Sequence, residues 1–452
     1  MSGREMIELV ARLSKLRLGP NSAGADRCAE MLCEELPFTV HEFEAGNECN
    51  GWIVPWKWDV DEAKIYDASG SLIYDGMHHP LAVIGYSRPF TGRVSAEELR
   101  KHLFYTDVFD DALVYHCDLY YKPSRKEWGF SVSKRFYDSL SDGEYRVDLR
   151  TRFEPGTMKV LEYTLPGSTN DLVVLNAHNC HPFCSNDDLS GIAVGIEVVR
   201  RLESWSGRRF SYRLLIAPEH LGTVFYLNRL DPDEVKRLRW GIFLESLGTD
   251  GPLAFQRSFT GVSLIDRALG NVLRHGCTEW RTEPFRKVVG NDETCWEAVG
   301  YEVPFPSLSR MPYPEYHTSR DGPDILEASS FEEAVRVVLD AFQVLERDGV
   351  MTPKFRGLVA LSHPCFDLYK PFWDPSEPER HEIDDIARRW NYLMDCLPRY
   401  FDGSIRILEI AERHELPFRS VADYVEEFRE KGLIEVTAAP ARDPPVRALP
   451  PF

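Results

Sequence analysis

The chain has 452 residues, with 72 acidic and 53 basic side chains and a formal net charge of −19. Such a field repels nucleic acid and anionic lipid, and no basic run is long enough to reverse it locally. The composition, 43% hydrophobic and 28% charged, suits a folded protein of about two to four domains, and no apolar run approaches the ~18 residues of a membrane span.

Residues 1–38 read as helical. Met6, Ile7, Leu9 and Leu13 fall near helical spacing, and Cys28, Met31 and Leu32 continue the pattern after a break at Gly19–Gly24. This start lacks the apolar core and small-residue cleavage site of a secretion signal. From about Asn50 the pattern changes to short β-like runs: Trp52–Val54, Ala63–Tyr66, Ser71–Tyr74, Val114–Tyr115, Trp128–Val132 and Tyr145–Leu149. They predict a β-rich domain over 46–149. Its dense aromatics (Trp52, Trp56, Trp58, Tyr115, Tyr120, Tyr121, Trp128) pack a core or line a ligand groove.

From about residue 155 the texture becomes α/β. Leu172–Leu175, Tyr212–Ala217 and Trp240–Leu244 are near-continuous apolar runs, the mark of strands buried on both faces. Helical segments are expected at Leu189–Leu202, 231–239 and Ile325–Glu346, which gives a layered α/β core. A connector with Pro364, Pro371, Pro375 and Pro378 leads to helices Glu382–Leu397, Ile405–His414 and Ser420–Lys431, then a strand Leu433–Val436. Helix, turn, helix and strand outline a winged-helix-like module. Its second paired helix carries Asp423, Glu426, Glu427 and Glu430, charges that oppose DNA reading. Structural packing or homo-oligomer formation is the expected use of that module.

The chemistry gathers at the expected strand ends. His178 closes the first strand and is followed by Cys180, His181, Asp187 and Asp188; Glu219 and His220 follow the second; Glu245 ends the third. His317 lies in a later loop, Tyr316–Asp321. Ligand sites of open α/β sheets form at such carboxyl ends. Hard oxygen and imidazole donors without a thiolate cluster suit Zn²⁺, Mn²⁺ or Co²⁺ in a hydrolytic site. A single Asp before a helix is equally well an N-cap, but four converging sets are hard to explain by packing.

The segments AHNCHP, SNDDLSG, PEHLG, GNDET and PEYHTSRD resemble, in order and spacing, the M28-type zinc aminopeptidases. The resemblance is nearest to bacterial aminopeptidase-like proteins formerly grouped as domains of unknown function. It implies a mixed-sheet core with helices on both faces at 1–45 and 150–365, with 46–149 as the inserted β-rich domain. A winged-helix-like module at 375–440 and a flexible tail at 441–452 complete the expected order. It also implies one or two zinc ions on His178, Asp187, His220, Glu245 and His317, with Asp187 bridging and Glu219 as general base. Two departures accompany it. The carboxylate that usually orients the first histidine is replaced in His178-Asn179-Cys180, so His181 is an alternative ligand. Asp188 stands where the family has Asn and is a second alternative. Asp292 and Glu293 are candidates for a substrate amine, Arg310, Arg320 and Arg286 for a substrate carboxylate, and Tyr313 or Tyr316 for an oxyanion. The expected activity is hydrolysis of a peptide or small amide by an aminopeptidase. The rivals are a non-peptide amide hydrolase or deacylase in sugar or specialised-metabolite biosynthesis, and an inactive metal-binding assembly protein. Ten scattered cysteines without a Cys-x-x-Cys pair place the protein in the reducing cytoplasm.

Overall fold

The computed structural model describes residues 1–122, 125–370 and 385–441. The side chain of Tyr121, residues Pro371, Pro375 and Pro378 of the connector, the start of the helix expected from Glu382 and nearly all of the tail lie outside the described residues. No helix among the described residues is long and apolar enough to cross a membrane.

Two compact units are formed, Met1–Phe259 with Arg281–Val335, and Thr260–Trp280 with the chain from Arg336 onward. The first is built on a mixed sheet with eight strands among the described residues. Their order is Thr39–Glu44, Thr157–Leu165, Ser211–Ala217, Leu172–His178, Leu238–Glu245, Ser307–Ser309, Leu253–Gln256 and Trp280–Glu283. Leu172–His178 runs parallel to both of its neighbours, and Leu238–Glu245 runs parallel to Ser307–Ser309. The flanking strands are antiparallel. Every residue of Leu172–His178 and of Ser211–Ala217 is buried, as continuous apolar runs require of strands covered on both faces. Helix Gly191–Glu203 buries nearly its whole length and ends in Arg200 and Arg201, which suit the negative pole of its dipole. The helix expected over 231–239 shrinks to Pro232–Val235, because Leu238 already enters the next strand. The expected Ile325–Glu346 helix begins at Ala328, after a short turn of helix at Pro323–Ile325.

The inserted segment forms its own four-stranded antiparallel sheet in the order Leu72–Asp75, Lys57–Tyr66, Glu144–Glu154, Phe90–Ser95. Trp58, Ile65, Leu99, Phe130, Val132, Val147 and Leu149 fill its core. Trp58 and Trp128 are thus packing residues.

The second unit holds helices Leu264–Gly276, Asp385–Cys396, Ile407–Arg413 and Phe418–Glu430. Ile407, Leu408, Ile410, Val421, Tyr424, Val425 and Phe428 are buried in it. Strand Ile434–Ala438 pairs antiparallel with Gly349–Pro353, a strand that precedes the Pro-rich connector rather than one that follows in a hairpin. The module expected from residue 375 therefore completes its sheet with chain from residue 349.

Candidate metal centre

The parallel strands deliver their last residues to one place. His178 ends Leu172–His178, Glu245 ends Leu238–Glu245, and Glu219 follows Ser211–Ala217 by two residues. One donor atom from each of His178, Asp187 and Glu245 lies within 4.8 Å of the others. The same holds for His181, Asp187 and His317, and for His178, Cys180 and Glu219. Asp187 joins the first two groups. Its Oδ1 is 3.2 Å from His178 Nε2, and its Oδ2 is 3.1 Å from His317 Nε2 and 3.8 Å from His181 Nε2.

Most of these atoms are buried. Apart from their approaches to one another, both ring nitrogens of His178, both carboxylate oxygens of Asp187 and Oε2 of Glu245 find no hydrogen-bond partner among the described residues. Native proteins rarely strand polar atoms this way, because each costs its full desolvation penalty. Burial opposes ionisation of Asp187, yet the His178 and His317 rings hold it well below the usual carboxylate range. Burial, aided by the negative field of Asp187, pushes Glu245 well above that range. Burial drives His181 down to about 3, leaving it in the neutral form that binds metals. Clustered imidazole and carboxylate donors with open lone pairs fit a divalent cation of the zinc type.

Three further acids position this cluster. The Asp188 carboxylate accepts backbone N–H groups of His178, Gly191 and Ser246, each at 3.1 Å. It pins two strand ends to the start of a helix. Only glycine fits at 191, since a Cβ there would come within 2.4 Å of Asp188 Oδ1 and 2.5 Å of the Leu244 carbonyl oxygen. Asp321 accepts the N–H groups of Asn186 (2.7 Å) and Asp187 (3.1 Å) and the Tyr313 hydroxyl (3.0 Å), and burial pushes it up to about 8. Asp292 accepts the His220 N–H at 2.5 Å and the Thr223 hydroxyl at 2.7 Å. His220, Ser246 and His317 all have positive φ, at 51°, 52° and 57°, the kind of backbone strain that collects at functional sites.

Several expected roles are redistributed. His220 belongs to none of the three donor groups found among the described residues. Its Nδ1 faces Glu219 Oε1 at 3.4 Å and its ring stacks on Trp52, so His181 stands with Asp187 and His317 instead. Asp188 is occupied by backbone rather than open to a ligand. Asp292 and Glu293 are likewise committed: Glu293 is buried and accepts the Asn291 N–H and the Gln256 amide. Arg310 is buried and donates to the carbonyls of Leu247, Gly251 and Ser330 and to Glu333, a structural cross-link rather than a substrate clamp. Arg320 pairs with Asp111, and Arg286 lies 4.0 Å from Glu293. Tyr313 gives its hydroxyl to Asp321, while the Tyr316 ring stacks on His317. Glu219 keeps a partly exposed carboxylate. Burial raises its pKa, but the His220 contact and the His178 charge outweigh this and hold it below the usual range, in the ionised form.

Two residues make contacts in the cluster that the motifs did not assign. Cys180 Sγ lies 3.2 Å from His181 Nδ1 and 3.6 Å from Glu219 Oε2, where the usual pattern has a carboxylate. Tyr115 comes from the inserted segment. Its N–H donates to the His317 carbonyl at 2.8 Å, and its ring stacks on His181. Val114 bridges to Thr318 beside it. Nothing in the sequence marks Val114–Tyr115 as the partner of a loop some 200 residues later, since pairing across an insertion leaves no local periodicity.

A cavity of about 300 Å³ opens beside Glu219 and Cys180. Its other walls are Pro20, Asn50, Gly51, Trp52, Ile53, Pro55, Tyr115, Tyr120 and Leu221. Three of the expected aromatics thus face a groove.

The profile of a family described as a domain of unknown function, DUF4910, matches residues 8–348. A Clostridium acetobutylicum protein, described as a candidate polysaccharide biosynthesis protein with an aminopeptidase-like domain, is 26% identical over 428 residues, 93% of each chain. The crystal structure of a candidate peptidase from Clostridium acetobutylicum is similar with a TM-score of 0.82 at 24% identity, covering 96% of both chains. A zinc aminopeptidase from Bacillus subtilis gives a TM-score of 0.57 at 15% identity, covering 76% of this chain and 94% of its own. At these identities the structural likenesses establish the fold.

Proposed function

We propose, from the premise that the chain belongs to the DUF4910 family and carries the M28-like aminopeptidase fold, that it is a metal-dependent amide hydrolase. The observation that carries this reading is the set of buried, unsatisfied donors of His178, Asp187 and Glu245 at the ends of parallel strands. His178, Asp187 and Glu245 would hold one zinc-type ion, and Asp187, His181 and His317 a second. A bound ion of this kind polarises a carbonyl and lowers the pKa of water.

The protein's own groups do the rest. Glu219, ionised and partly exposed beside the cavity, takes a proton from the attacking water and returns it to the leaving nitrogen. Asp188, Asp321 and Asp292 hold the strand ends and loops in register. Tyr115 covers His181 and restricts bulk water. An aminopeptidase with a peptide or small amide substrate is the first reading. Commitment of Asp292 and Glu293 to backbone N–H groups and to the Thr223 hydroxyl and Gln256 amide favours the second, a hydrolase of amides without a free α-amine, because among the described residues these two candidate acids are not left open for an amine.

The C-terminal helices with their short sheet are read as a winged-helix-like module that serves packing or self-association rather than nucleic acid. Asp423 and Glu426 are already paired with Arg347 and Arg429. The ten free cysteines agree with a cytoplasmic setting. Metal analysis of the purified protein, followed by turnover assays on aminoacyl amides and N-acyl sugars, tests the reading. Metal-free protein with full activity overturns it.

A further inference from the structure

The cavity beside Glu219 owes its outer wall to the inserted segment. Glu48–Cys49 and Trp52–Ile53 form a two-residue hairpin around Asn50-Gly51, with Cys49 opposite Trp52. Both turn residues have positive φ, 50° and 83°, the geometry in which Asn-Gly closes a tight hairpin. The turn fixes where Trp52 sits. Its ring lies parallel to His220, 6.0 Å away at an interplanar angle of 7°. Tyr115, from a distant part of the same insertion, lines the opposite side with Tyr120. The Tyr115 and Tyr120 rings lie 6.2 Å apart on that side.

The lining is apolar and aromatic, and Glu219 is its only ionisable side chain besides Cys180 and the two tyrosines. Among the described residues no lysine or arginine lines it. At about 300 Å³ the cavity is at the lower end of ligand-site volumes, room for one group rather than a polymer run. Flat aromatic walls favour a ring with an apolar face.

We infer that this cavity selects a ring-bearing group attached to the scissile amide, with Trp52 as the specificity-determining residue. The inference rests on the amide hydrolase reading for its chemistry but on the cavity alone for its selectivity. An aromatic side chain and a neutral sugar ring share the required chemistry.

The test compares four amides on the metal-loaded full-length protein: a phenylalanyl amide, an N-acetylated hexosamine, an alanyl amide and a glutamyl amide. One ring-bearing substrate should exceed the alanyl and glutamyl compounds in kcat/KM, and which one does so identifies the source. Trp52→Ala should lower kcat/KM for that substrate about 10–100-fold and leave the alanyl amide within about twofold, with Trp52→Phe restoring most of the loss. Equal turnover of all four amides, or equal losses for all four in the Trp52→Ala variant, overturns the inference while the hydrolase reading stands. Should none be cleaved, calorimetric titration with N-acetylphenylalaninamide and with N-acetylglucosamine decides separately. Trp52-dependent binding of either upholds the selectivity without the hydrolysis, and absence of binding by both overturns it.

Discussion

The same sheet holds acids in two opposite conditions. On its antiparallel side, half-buried Glu162 accepts hydrogen bonds from the Tyr226 and Thr164 hydroxyls and His41, all at 2.9 Å, and its Oε1 lies 3.1 Å from the Arg213 guanidinium. At the parallel strand ends, Asp187 and Glu245 are fully buried; Asp187 meets the imidazoles of His178, His181 and His317, and Oε2 of Glu245 makes no hydrogen bond among the described residues. A fold can shield a carboxylate by surrounding it with donors, and the antiparallel side does so. The strand ends instead keep lone pairs available, at a cost in stability that a bound cation would offset. The contrast separates a structural acid from a functional one more sharply than burial does.

The largest expected break in this contrast comes from chelation. Stripping divalent ions should abolish turnover while circular dichroism stays near native, because the antiparallel side and the core need no metal. The melting temperature should fall, since an ion present at about 100 times its Kd contributes roughly 2.7 kcal/mol. Glu219→Gln comes next. It keeps the side-chain size but removes the proton acceptor, so kcat should drop on the order of 10²–10⁴-fold with metal content unchanged in elemental analysis.

A pH titration sharpens the other side. Burial opposes the charge on Glu162, but His41, Arg213 and Tyr226 depress its pKa to about 2, below the unfolded value of about 4.3. Its stabilisation is therefore complete above the unfolded value and disappears as pH falls toward about 2. The loss should be on the order of 2–3 kcal/mol. Denaturant melts of Glu162→Gln should lack that acid-dependent component, with or without metal. The smallest effect belongs to the clamp between the two regions. Asp188→Ala strands three backbone N–H groups, which predicts roughly 1–3 kcal/mol of destabilisation. Metal affinity should weaken about 10–100-fold, read by competition with a chelating dye. Unchanged affinity would mean that the strand ends hold their positions without Asp188.

Much of this arrangement was legible in the sequence. Unbroken apolar runs such as Leu172–Leu175 and Tyr212–Ala217 announce strands covered on both faces. Once those strands are placed parallel, the residues at their ends converge, so His178, Glu219 and Glu245 could be expected together, whereas Asp187 and His317 were implied by the family resemblance. Three strands of the insertion's sheet were announced by short runs and turns, but Phe90–Ser95 was not, and the expected runs at Val114–Tyr115 and Trp128–Val132 lie outside that sheet.

What the tertiary structure alone decided is which of two neighbouring residues turns inward. Glu219 and His220 are adjacent, and sequence order suggested that the histidine serves the cluster. The Asp292 clamp on the His220 N–H and the positive φ at His220 turn its ring toward Trp52 and Glu219, and His181 stands beside His317 instead. Likewise Asp292, Glu293, Arg310 and Tyr313 carry the right chemistry for substrate contact, yet their partners are backbone groups and buried acids brought in from distant segments. The physical reason is the same throughout. Strand burial depends on hydrophobic periodicity, which is local and written along the chain, whereas the partner of a buried polar group is set by long-range packing that local pattern does not encode.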